Sequence, residues 1–206
     1  PPMGWNSWNC WARDVTQEQI LSSARAMVEK GLADHGWSYI NIDDGWQGRR
    51  GGRYNAIQPN KKFPDMAALT REIHDMGLRV GIYSTPWIGT YAAHIGSYSD
   101  RPDGENEWIE KGLHNENYRY QKPGGNYWED RCEVWHHGPY SFVEADVKQW
   151  AEWGIDYLKY DWHPLNYYHV REMFDMLRKI DRDIIFSLSN SAPHGDAPVW
   201  QRYENC

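Results

Sequence analysis

The chain has 206 residues, 40% of them hydrophobic, which is enough for one well-cored domain and too apolar for a disordered one. Its formal net charge of −7, with no Lys/Arg cluster beyond Arg49-Arg50, argues against nucleic acid and anionic membrane as partners and leaves a neutral ligand. No run approaches the ~18 apolar residues of a membrane span and no signal peptide is visible, so the reading is a soluble chain whose compartment, secreted or periplasmic, stays open.

Met3-Gly4-Trp5-Asn6-Ser7-Trp8-Asn9 follows two prolines and reads as a short aromatic strand with polar residues at its end. Thr16 with Gln19 predicts a capping box, and Ile20, Leu21, Ala24, Met27, Val28 and Leu32 recur at helical spacing up to about Gly31. Tyr39-Ile40-Asn41-Ile42 predicts a second strand, which ends in the paired carboxylates Asp43 and Asp44 and runs into a Gly/Arg-rich loop. Pro64-Asp65 opens a helix with Met66, Leu69, Ile73 and Met76 on its inner face and Gly77 as C-cap. Leu78 to Ser84 is a continuous apolar strand of the kind buried in parallel sheets. Residues 85–140 are rich in Gly, Asn, Trp, Tyr and His with little periodicity, and are predicted to be an elaborated active-site loop. A helix over about 141–153 leads into a short strand in which Tyr157, Lys159 and Asp161 share one face, and a helix over about 166–179 precedes a strand over 183–189.

Strand-helix alternation with apolar strands implies a parallel sheet, and right-handed crossovers make it either doubly wound or a barrel. No Gly-x-Gly-x-x-Gly or phosphate-binding loop follows the first strand. Trp8, Asp43-Asp44, Tyr83, Lys159-Asp161 and Ser189 all fall near the C-terminal ends of five successive strands, the face on which barrel enzymes build their sites. The expectation is an α/β chain, the first five or so units of a (β/α)8 TIM barrel, with residues 1–206 forming the N-terminal portion of the catalytic domain and a loop inserted at about 85–140.

A lysine and a carboxylate on one face of an apolar strand are costly to bury unless they pair or face a polar cleft. A Lys159–Asp161 pair would keep Asp161 ionised, which suits a nucleophile in glycoside cleavage with retention; a purely structural ion pair is the plain alternative. Asp43 and Asp44 point to opposite sides of a regular strand and can reach one ligand only where the strand gives way at Gly45. Metal binding is disfavoured there for want of nearby His or further acidic ligands. Accepting bonds from vicinal hydroxyls, worth about 1.5–3 kcal/mol each, is the simpler reading. Asp196 is the only acid soon after the fifth strand, hence a candidate second carboxylate or else a solvated loop acid. The 13 Trp and 14 Tyr against 4 Phe favour rings with a polar edge, which stack on sugars, although most are expected in core positions. Cys132-Glu133-Val134-Trp135-His136-His137 matches no common zinc spacing and reads as a solvated or sugar-contacting loop, and His163 either touches substrate or turns the chain. Cys10, Cys132 and Cys206 give no disulfide framework, and no cofactor is expected.

Five stretches together resemble glycoside hydrolase family 27, the retaining α-galactosidase and α-N-acetylgalactosaminidase family built on a (β/α)8 barrel with a C-terminal β domain. They are residues 3–9, Ile42-Asp43-Asp44-Gly45-Trp46, Phe63-Pro64-Asp65-Met66, residues 77–83 and residues 153–161. The resemblance implies an exo-acting hydrolase of terminal α-linked galactose in which Asp161 is the nucleophile and Trp8 packs on the sugar. It implies that Asp43 and Asp44 take the 4- and 6-hydroxyls, and that Lys159 holds the 3- and 4-hydroxyls beside Tyr83. The family's acid/base aspartate follows a Trp-Arg pair that is not found up to Cys206. Gly45, His163 and Leu188 stand where animal relatives carry disulfide cysteines, which fits a bacterial-type member. Ser189 and Ala192 resemble the small residues that make room for a 2-acetamido group, so α-N-acetylgalactosaminidase is the alternative, and a non-catalytic carbohydrate-binding protein is the alternative of another class. Oligomeric state is not legible.

Overall fold

The structure, a computed structural model, describes residues 2–106, 137–162, 165–189 and 194–203. In chain order it contains β1 (Met3–Asn6), a short helix α1 (Trp8–Trp11), α2 (Gln17–Glu29), β2 (Trp37–Ile42) and a hairpin of β3 (Gln47–Gly51) and β4 (Ala56–Pro59). There follow α3 (Met66–Asp75), β5 (Arg79–Ser84), β6 (Tyr98–Ser99), β7 (Tyr140–Ser141) and α4 (Val143–Trp153). Then come β8 (Tyr157–Tyr160), α5 (Tyr167–Leu177), β9 (Ile185–Leu188) and a short α6 (Ala197–Trp200).

The main sheet has the order β1-β2-β5-β8-β9, and every neighbouring pair in it is parallel. Each strand is laid beside its predecessor without reversal. A doubly wound sheet would turn back at a switch point, so this order is that of consecutive barrel units. It also puts all five carboxyl ends on one side, where the site is assembled.

Local chemistry accounts for the helices. Thr16 and Gln19 form the capping box reciprocally: the Gln19 N–H donates to Thr16 Oγ1 at 3.3 Å and the Thr16 N–H to Gln19 Oε1 at 2.9 Å. Ile20, Leu21, Ala24 and Met27 are buried, but Val28, in the last turn of α2, and Leu32, in the turn beyond its end at Glu29, are exposed. Asp65 caps α3 through the Ala68 N–H at 2.8 Å, and Asn166 caps α5 through the His169 N–H at 3.0 Å. Gly154, at φ 87°, ends α4 in the left-handed conformation and turns the chain into β8. Val80 to Ser84 are buried throughout, as their continuous apolar run predicts. The strand residues Ile40, Ile42, Val80, Ile82, Leu158 and Phe186 join the helix faces in one core, each contributing roughly 1.5–3 kcal/mol of burial.

Two polar clamps hold the frame. At the amino end of β8, Asp156 accepts the Val80 N–H at 2.9 Å and an Arg182 Nη2–H at 2.5 Å, and lies 2.7 Å from His74 Nε2. Arg182 also donates to the Gly154 and Ile155 carbonyls. The second clamp sits in the stretch read as a Gly/Arg-rich loop, which is the β3–β4 hairpin. Arg50 is fully buried and forks onto Asp146 of α4 at 2.6 and 3.1 Å, while its Nη2 also donates to the Gly96 carbonyl at 2.6 Å. Its guanidinium lies over the Phe142 ring, and Asp146 accepts the Ile57 N–H. Burial pushes the Asp146 carboxyl up against the pull of Arg50. The predicted insertion at 85–140 is only partly described: residues 85–106 form a folded loop that contains β6, which pairs antiparallel with β7. No helix among the described residues is long and apolar enough to cross a membrane.

Candidate active site

The registers set Tyr83 of β5, Lys159 of β8 and Ser187 of β9 side by side. Backbone bonds carry the alignment past the strand ends: the Ser7 N–H donates to the Asn41 carbonyl, Asp161 to Ser84, and Ser189 to Tyr160. Residues that follow three of the strands, β1, β8 and β9, are thereby fixed over the sheet's carboxyl edge.

Asp43 is buried, its side chain 2% exposed, and its carboxylate accepts three donors. Oδ2 accepts from Lys159 Nζ at 2.8 Å and Asn6 Nδ2 at 2.7 Å, Oδ1 accepts the Asp44 N–H at 2.8 Å, and the Asp43 N–H is held by Ser7 Oγ at 2.9 Å. Lys159 therefore pairs with Asp43 and not, as its strand face suggests, with Asp161. The reason is lateral: Asp43 lies beyond the end of β2, and the 2.8 Å ion pair spans from β8 to that end. Lys159 Nζ also lies 5.2 Å from the centroid of the Tyr83 ring.

Asp44 lies past the end of β2 and bonds to a different set of partners from Asp43. It accepts the Thr90 hydroxyl on Oδ1 and the Ala92 N–H on Oδ2, each at 2.7 Å. Gly45 then takes φ 123°, and a Cβ there would come within 2.6 Å of the Arg13 carbonyl. Any side chain at this position would be strained, which is a physical reason for glycine here.

Asp161 accepts the Tyr83 hydroxyl at 3.2 Å, and the Ser189 side chain also bonds to it. Its pKa is raised, not lowered: burial is the largest cause, and the Lys159 charge and the Ser189 and Tyr83 hydroxyls offset it only in part, with Asp43 pushing the same way as burial. The lysine that would oppose burial most directly is paired with Asp43. The Tyr83 hydroxyl is buried and pushed well above its ordinary pKa by burial and by Asp161, so it remains a protonated donor.

Of the sequence-predicted residues, Asp43, Lys159, Tyr83, Asp161 and Ser189 thus form one connected cluster. Asp44 adjoins it, its charge acting on Tyr83. Half-buried Trp8 opens α1 with its N–H on Asn6 Oδ1, so it is tied to the cluster through Asn6. Asp196 is exposed. Ala192, His163 and Cys132 to His136 lie outside the described residues; His137 packs its ring against Tyr98 and His169. No three His, Cys, Asp or Glu side chains among the described residues gather as metal ligands. Asn6, Ser7 and Thr90 were not singled out by sequence. Asn6 and Ser7, polar and at a strand end, carried a readable signal, whereas Thr90 sits in a stretch without periodicity.

A family model described as "Alpha galactosidase A" matches residues 1–107. The "Alpha-galactosidase A" of Cellvibrio japonicus is 33% identical over 209 aligned residues, covering 98% of this chain and 40% of that protein. The "Probable alpha-galactosidase B" of Neosartorya fischeri is 34% identical over 165 residues, covering 78% of this chain and 28% of the relative. Among solved structures, alpha-galactosidase I from Mortierella vinacea superposes with a TM-score of 0.74 at 29% identity, over 100% of this chain and 44% of its own. The chain therefore spans less than half the length of each of these relatives.

Proposed function

The chain belongs to glycoside hydrolase family 27, and from that premise we propose that it forms the N-terminal part of the catalytic domain of a retaining, exo-acting α-galactosidase with Asp161 as nucleophile. The observation that carries the reading is the setting of Asp161: a largely buried carboxylate at the carboxyl end of β8, held by two hydroxyls, with the cationic partner it might have had engaged by Asp43. A carboxylate engaged in a tight ion pair is a poor nucleophile. One that is oriented by hydroxyls retains a lone pair for the anomeric carbon.

In this reading an Asp161 oxygen bonds to the anomeric carbon as the glycosidic C–O bond breaks, and a second carboxyl group delivers the proton that the departing oxygen needs. Water then cleaves the glycosyl ester, giving net retention. Asp43 is occupied as the partner of Lys159, and Asp196 is exposed, so we assign the proton donor outside the described residues. The Asp43–Lys159 pair presents charge-assisted groups for the 3- and 4-hydroxyls, Asp44 an acceptor for the 6-hydroxyl, and Trp8 an indole for the ring face. That Cellvibrio japonicus and Mortierella vinacea relatives are named α-galactosidases supports the substrate class. Ser189 bonds to Asp161, so its small size is not evidence by itself of room for a 2-acetamido group.

The test is hydrolysis of nitrophenyl α-galactoside and of its α-N-acetylgalactosaminide by the full-length protein, beside Asp161→Asn. Cleavage of the galactoside with a dead variant is the expected result. Preference for the acetamido sugar would move the assignment to α-N-acetylgalactosaminidase, and galactose binding without cleavage of either would leave a carbohydrate-binding protein.

A further inference from the structure

We propose that Thr90 is a positioning residue for sugar recognition, acting through Asp44; the inference rests on the reading of Asp44 as the acceptor of a sugar hydroxyl. Thr90 is fully buried, and its hydroxyl is committed at both ends. Its oxygen accepts the His94 N–H at 3.0 Å, and its single proton is directed to Asp44 Oδ1 at 2.7 Å. Two residues on, the Ala92 N–H reaches the other carboxylate oxygen at the same distance. One turn thus grips both oxygens of the carboxylate.

The turn is itself rigidly made. The Thr90 N–H donates to the His94 carbonyl at 2.8 Å and the Ala93 N–H to the Thr90 carbonyl at 2.9 Å, while Ala93 takes φ 65°, a conformation that a residue with a Cβ adopts only where its surroundings impose it. Gly89 bridges to Ile95, and Arg50, locked on Asp146, anchors the far end through the Gly96 carbonyl at 2.6 Å. β2 has already ended at Ile42, so the bearing of Asp44 is set by this turn after β5 and not by its own strand. Asp43 differs, because Lys159 and Asn6 hold it from the sheet. Loss of the Thr90 hydroxyl would free Asp44 Oδ1 while the Ala92 N–H keeps its hold on Oδ2, so the carboxylate loses its fixed orientation and the bonds of Asp161 are untouched. Binding of the hydroxyl that Asp44 receives should then weaken while the chemical step proceeds.

The experiment compares Thr90→Val, Thr90→Ala and Thr90→Ser in the full-length protein. It uses nitrophenyl α-galactoside and its 6-deoxy analogue, and a melting curve for each variant. Thr90→Val is expected to raise KM for the galactoside roughly tenfold or more with kcat within about threefold, since a hydrogen bond to a charged group is being removed. Thr90→Ser is expected to restore wild-type KM, and KM for the 6-deoxy analogue should be the same in all variants. An unchanged KM in Thr90→Val, an equal KM rise on both substrates, or a kcat loss that serine does not rescue would each overturn the proposal. So would failure of both Thr90→Val and Thr90→Ala to fold beside a sound Thr90→Ser, which assigns the hydroxyl to stability alone. If the wild type cleaves neither α-galactoside nor its N-acetyl counterpart, it is the functional reading that falls, and that result is seen before any variant is made.

Discussion

Two aspartates bracket one four-residue strand. Asp156 precedes β8 and Asp161 follows it, yet the sheet treats them oppositely. Asp156 is met by a guanidinium, a backbone N–H and an imidazole, from β5, α3 and the turn before β9. Asp161 is met by two neutral hydroxyls, and burial outweighs them. On the proposed reading the contrast is a division of labour: the carboxylate at the amino end of the strand holds units together, and the one at the carboxyl end is left under-compensated for chemistry.

The sharpest way to break that comparison is to make the same substitution at both positions. Asp161→Asn is expected to lower kcat by roughly a thousandfold or more while the protein stays folded, read by initial rates and circular dichroism. Asp156→Asn is expected to leave the kinetics of the folded protein near wild type but to cost about 2–3 kcal/mol by stranding Arg182 and His74. On a domain of this size that is a fall of about 4–12 °C in Tm. Should Asp156→Asn abolish turnover in a fully folded protein, the division between the two ends is wrong.

Lys159 sharpens the top-face half of the comparison. Lys159→Met is expected to reduce kcat/KM roughly ten- to a hundredfold, through loss of a charge-assisted bond to Asp43 and its share of substrate contacts. It should also move the acid limb of the pH profile. The lysine's charge lowers the Asp161 pKa, so its removal raises that pKa further, and because the ionised form is the active one the limb shifts to higher pH. An unmoved limb would mean that Asp161 does not govern it.

The smallest effect is on stability. A carboxyl whose folded pKa lies above its unfolded value contributes stability below the unfolded pKa, and that contribution is lost as pH rises through the folded pKa. Asp161 is such a group, so Asp161→Asn is expected to melt slightly higher than wild type at neutral pH, with the gain vanishing toward pH values below the ordinary carboxylate range. Melting curves of the two proteins across pH 3 to 8 check it.

The strand ends were legible because two periods, 3.6 and 2, place their residues without knowledge of the fold. Thr16, Asp65 and Asn166 announce their helices by local bonds that hold wherever the helix lies. Asp43, Tyr83, Lys159 and Asp161 are legible as a set because they fall near the carboxyl ends of successive strands. Their pairing was not. Whether Lys159 turns to Asp161, two residues away, or to Asp43, 116 positions earlier, is decided across the sheet, and no pattern within one strand contains it. Arg50 shows the same limit: beside Arg49 it reads as surface charge, and only the arrival of α4 makes it a buried partner of Asp146. The hold of Thr90 on Asp44 came from a loop without periodicity, where sequence offers little to read.

The most direct test of the assignment of Asp161 is covalent trapping. The full-length protein would be incubated with a slow fluorinated α-galactosyl fluoride, digested and sequenced by mass spectrometry. The expected result is one fluorogalactosyl group on the carboxylate of Asp161, with activity returning as the label hydrolyses. A label on any other side chain, or turnover of the galactoside with inversion and no label at all, would contradict it.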